Sequence, residues 1–189
     1  MTTIEPESPA LVSRNLAAGV RLWAGATTFF FFCPFFAYFY LRSLDSAGLW
    51  RPAGVDPPQG SGAAVMVVVV LSSVVLLLAA RPEWESAWRL LVALSLVLGL
   101  AAVVLQCVAY ARLGFGPTDG GYASVFAAWT GLNALFGLGT MIWLETLLAY
   151  GLRTRDSLPL VRPRLGALAF YWTYLAGLGV VMWVVLYLT

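Results

Sequence analysis

The chain has 189 residues, of which 61% are hydrophobic and 11% charged, with a formal net charge of +2 and no histidine. That charge content is less than half that of an ordinary soluble domain, so water is not the main solvent, and a charge so small and scattered excludes nucleic acid as a partner. Without imidazole the chain lacks the usual ligand for haem iron and the commonest for catalytic metals, so any redox chemistry must lie in a partner.

Residues 1–20 (MTTIEPESPALVSRNLAAGV) begin acidic and polar, unlike a cleaved signal peptide, which opens basic and then turns apolar. They are read as a cytoplasmic N-terminal tail, and residues 21–189 as the membrane domain, whose first span is its own insertion signal. A bilayer core of about 30 Å needs roughly 20 helical residues to cross it. Five segments meet that length: Leu22 to Leu41, Ala63 to Ala80, Trp88 to Tyr110, Ser124 to Tyr150 and Leu165 to Leu188. Turn-rich links such as RPAGVDPPQGSG and RPEWES separate them. The predicted fold is all-α, a polytopic membrane protein with five transmembrane helices.

In the first span Thr27 and Thr28 are expected to bond to their own helix backbone, and Pro34 to remove one backbone hydrogen bond and bend the helix. The run Phe29 to Phe32 faces every direction of a helix, so part of it must meet lipid or another subunit. Ser72 and Ser73 of the second span are read like the threonines. Cys33 and Cys107 lie in apolar runs of separate spans, where a thiol behaves as a small hydrophobe. Gln106 in the third span and Asn133 in the fourth are uncharged amides, suited to an interhelical hydrogen bond worth about 1 kcal/mol. Gly131, Gly137 and Gly139, with Gly177 and Gly179, allow close helix approach or room for a lipid tail. Among acidic and basic residues only Glu145 falls at membrane depth, five residues before Tyr150. It is a candidate for an interfacial ion pair with Arg153 or Arg155, or for contact with a partner subunit or a proton route.

All eleven basic residues are arginine. Arg14, Arg21, Arg81, Arg89, Arg153, Arg155, Arg162 and Arg164 fall on one side and Arg42, Arg51 and Arg112 on the other, a split of eight to three. The positive-inside rule then places the N-terminus in the cytoplasm and the C-terminus outside. Trp23, Trp84, Trp88, Tyr150 and Trp172 are read as inner interfacial anchors, and Tyr40, Trp50, Tyr110, Tyr122 and Tyr187 as outer ones. A phosphate-binding loop with lysine and a histidine-based triad are both ruled out by composition.

With spans and order in place, the chain resembles subunit III of the haem-copper oxidases, the cytochrome c and quinol oxidase group, in a divergent five-span bacterial form. The segments AYFYLRS at Ala37 to Ser43 and GLWRP at Gly48 to Pro52 are similar to the family's tyrosine-arginine span end and the tryptophan-proline loop after it. Leu71, Ser72 and Ser73 resemble the paired serines of the next span, and Gln106 with Tyr110 the glutamine-containing third. Tyr122, Ser124, Phe126, Thr130 and Gly131 follow the pattern Y-x-S-x-F-x-x-x-T-G, and Tyr171, Trp172 and Tyr174 match an aromatic stretch in the last span. The departures are as informative. Thr27 and Ala109 stand where the family commonly places buried glutamates, Asn133 and Phe136 where it has two histidines, and Thr173 and Ala176 where it has a histidine and an aspartate.

The resemblance implies a non-catalytic structural subunit of a respiratory terminal oxidase in the bacterial cytoplasmic membrane, without a redox centre or catalytic residue of its own. Its partners would be catalytic subunit I, which carries haem and copper, with subunit II and membrane lipids, in aerobic electron transport. It also implies two helix groups, the first two spans and the last three, with a phospholipid-filled cleft between them. Thr27, Phe30, Gln106, Gly131, Asn133 and Gly137 are the residues expected at that cleft or in interhelical packing. The neutralised positions put any proton-related role in doubt and keep a second branch open, an accessory subunit of a nitric oxide reductase. The contrasting class, a small transporter, should show mid-membrane polar groups, matching broken spans or a repeat, and none is evident in the sequence.

Overall fold

The first helix starts on a cap: Ser8 Oγ accepts the Leu11 amide at 3.4 Å, and Pro9 occupies a first-turn position where a missing N–H costs nothing. In the computed structural model, which describes residues 8–45, 48–153 and 158–189, this helix is α1, Pro9–Ser43. It is followed by α2 (Gln59–Ala79), a short 3₁₀ segment (Pro82–Ala87), α3 (Trp88–Ala111), α4 (Gly121–Arg153) and α5 (Leu158–Leu188). All five helices are long and apolar enough to cross a membrane, so the chain is a multi-pass membrane protein. With 21 residues, α2 is about 32 Å long and matches a bilayer core, whereas α1, with 35, reaches about 52 Å. Residues 9–20, assigned from sequence to a tail, thus continue the first spanning helix.

Helices α2, α3, α4 and α5 pack in a ring, each against the next and α5 back against α2, and α1 lies along the seam between α4 and α5. This corrects the grouping of the first two spans together: among the described residues α1 makes no helix contact with α2. The connecting loop explains the separation. It folds across the end of α4, where Tyr122 N–H donates to the Trp50 carbonyl at 2.8 Å and Gly121 N–H to that of Leu49 at 3.5 Å. Gly120 closes this junction at φ +128°, and a Cβ there would lie 2.7 Å from the Pro52 ring.

The core runs the length of the ring and is richest in aromatics at the end away from the arginine-rich links, where Tyr38, Trp50, Tyr122 and Phe126 are buried together. Trp50 stands edge-on to Tyr122 at 5.8 Å, and the Arg51 guanidinium lies 4.5 Å over the Tyr122 ring. Arg51 is held by the Val55 carbonyl at 3.1 Å and the Asp56 carboxylate at 2.7 Å. Four of the expected anchors are not anchors: Trp50, Trp88, Tyr122 and Trp172 are buried and belong to the core. Of the phenylalanine run, Phe31 is buried, while Phe29, Phe30 and Phe32 face outward.

Candidate functional site

The buried hydroxyls tie the helices together. Ser72 Oγ donates to the Ser95 carbonyl at 2.8 Å and Ser95 Oγ returns a bond to the Ser72 carbonyl at 2.9 Å, so α2 and α3 are joined reciprocally. Trp172 Nε1 of α5 donates to Ser72 Oγ at 2.9 Å, adding a third helix to the node. Ser72 therefore bonds across an interface rather than to its own helix as expected, because Ser95 meets it where α2 and α3 cross. Ser73 follows the expectation and donates to the Val70 carbonyl at 2.8 Å.

The seat of α1 is built the same way. Thr27 Oγ1 donates to the Trp23 carbonyl at 2.9 Å and accepts from the Tyr171 hydroxyl at 3.0 Å. Thr28 donates to the Ala24 carbonyl at 2.9 Å and bonds the Tyr174 hydroxyl. Beside these bonds, in the half of the bundle nearer the arginine-rich links, lies a groove of about 770 Å³. Gly19, Val20 and Trp23 of α1, Phe136 and Gly139 of α4 and Tyr171 of α5 contribute to its walls. A Cβ on Gly19 or Gly139 would meet nothing within 4 Å, so the hollow is partly the volume that absent side chains leave. Its two buried hydroxyls are already satisfied, Thr140 by the Phe136 carbonyl at 2.8 Å and Tyr171 by Thr27. Among the described residues no charged side chain lines the groove, and its chemistry suits an acyl chain or another apolar group.

The residues named from sequence are distributed around the bundle rather than along one wall. Thr27 and Phe30 border the groove indirectly, Thr27 through Tyr171 and Phe30 through its ring contact with Phe136 at 5.8 Å. Gly131 lines a second hollow of about 330 Å³ beside Tyr110, whose hydroxyl donates to Thr130 at 2.5 Å. Asn133 sits at the α4–α5 contact, near Gly179, and Gly137 lies against the Trp172 ring. Gln106 is buried on α3. At about 100° per residue, positions 131 and 133 point to opposite sides of α4, which is why one wall cannot hold both. Gly139 was singled out with the other glycines of the fourth span as room for a lipid tail, whereas Gly19 and Val20 were missed because they fall in the segment read as a tail.

Glu145 and Arg153 are not brought together. Helix α4 continues through Arg153, which places the two eight residues and about 12 Å apart along it. Arg155 lies outside the described residues. The ion pairs among the described residues are Arg51–Asp56 and Arg162–Glu85, and Glu145 takes part in neither.

Among the described residues no three of His, Cys, Asp and Glu gather as a metal site. No curated protein matches the chain in a sequence search. A family model described as cytochrome c oxidase subunit III matches residues 2–189. On that match, which leaves out only the first residue, the chain belongs to the cytochrome c oxidase subunit III family.

Proposed function

We propose that this chain is a non-catalytic packing subunit of a respiratory haem-copper terminal oxidase, bound to catalytic subunit I in a complex with subunit II. The observation that carries this reading is the use of the buried hydroxyls: Ser72, Ser95, Thr27 and Thr130 are engaged in bonds that hold helices together. Haem and copper belong to the partner, and the apolar groove beside α1 takes a phospholipid acyl chain that stays with the complex. The eight-to-three arginine split puts the N-terminus on the cytoplasmic side of a bacterial cell membrane.

The test is purification in two forms. Expressed alone, the chain should give no haem absorption band and no stoichiometric copper. A tag on it in its native membrane should bring down a haem- and copper-containing oxidase with phospholipid at constant stoichiometry. A haem band at one per isolated chain, or pull-down of no haem protein, would contradict the reading.

A further inference from the structure

One face of α4 points away from the rest of the bundle. Leu135, Leu138, Ile142, Ala149 and Leu152 are exposed along it, and their three- and four-residue spacing makes them one stripe. Glu145 lies within that stripe and is exposed as well.

The packing at this end fixes how deep the carboxylate sits. Gly151 of α4 lies against the Trp88 indole, Arg164 lies 5.5 Å over the Tyr150 ring, and Arg89 lies 5.4 Å over Trp88. The exposed Tyr150 ring and two arginines collected at one level mark the membrane–water boundary. Glu145 is six residues before Gly151, about 9 Å further into the membrane along the helix. A bare carboxylate facing acyl chains at that depth is expensive. Among the described residues Glu145 makes no ion pair: Arg162 holds Glu85 at 2.9 Å, Arg164 and Arg89 cover rings, and Arg153 is two turns away. Lipid ammonium groups stay at the headgroup level, above Glu145.

We propose that the α4 stripe docks a transmembrane helix of the catalytic complex that carries an arginine or lysine level with Glu145. This rests on the packing-subunit reading and adds to it the face used and the charge of the partner. Leu138, Ile142 and Leu152 supply the apolar contact, and the low dielectric around them strengthens the ion pair they flank.

The experiment purifies the complex through a tag on the haem-bearing subunit and measures the amount of this chain per haem. Glu145→Lys should lower it more than ten-fold and Glu145→Gln several-fold. Leu94→Lys should leave it within two-fold, since Leu94 is exposed on α3 at a matching distance from Trp88. Retention of Glu145→Lys, or of Glu145→Gln at the wild-type level, overturns the proposal. A photo-crosslinker at Ile142, with Glu145 intact, checks the face without risking the fold: capture of a subunit of the complex supports it, and capture of lipid alone overturns it. Absence of the wild-type chain from the purified complex would instead overturn the packing-subunit reading itself.

Discussion

A Cβ added to Gly151 would run into the Trp88 indole, and one added to Gly62 into the Tyr187 ring, whereas one on Gly177 would meet open space. The indole is rigid and 5% exposed, so it cannot swing away cheaply. Gly151→Ala should therefore destabilise the chain by about 1–3 kcal/mol, as overpacking does, while Gly177→Ala should stay within about 0.5 kcal/mol. Unfolding of the purified chain in mixed micelles checks both. The sequence singles out the glycines of the fourth and fifth spans instead. Of those, Gly179 is tight, 3.3 Å from Met66 Sδ, and Gly131 and Gly137 are in ordinary contact at 3.7 Å. Composition shows that a glycine is small; only the helix across from it decides whether smallness is needed.

At the level of elements, α1 is the helix outside the ring, and its attachment rests on few polar bonds. The Thr27–Tyr171 bond joins it to α5, next to the small cluster of Val20, Ala24 and Ala167. A double-mutant cycle of Thr27→Val and Tyr171→Phe should give a coupling of about 0.5–1 kcal/mol, the usual worth of an interhelical hydrogen bond in a membrane. Additive effects would mean that the two hydroxyls do not bond. The five spans themselves were legible, because a run of about 20 apolar residues is seldom stable except as a helix crossing a bilayer. Helix ends were less so: α1 begins at Pro9 rather than Leu22, and α4 ends at Arg153 rather than Tyr150. Hydropathy reports where the hydrocarbon begins, and a helix can continue past it on capping and propensity alone. That three-residue extension is what carries Arg153 out of reach of Glu145.

For the whole molecule, the family was legible because ordered fragments survive even where titratable positions have become neutral. Tyr38, Trp50, Arg51 and Tyr122, which carried much of the resemblance, are one packed cap over the bundle end. Helix neighbours were not legible, since a loop that folds across the bundle leaves no periodic signal and separates α1 from α2. The groove follows from that placement, because α1 lies over the glycine-bearing face of α4. In the proposed role this subunit supports its partner by packing and lipid retention rather than by chemistry. The most direct measurement is oxygen consumption per haem over repeated turnover, with and without the chain. Packing predicts an initial rate within about two-fold of the complete enzyme, followed by a faster decline. Immediate and complete loss of activity in a correctly assembled, haem-loaded partner would contradict it.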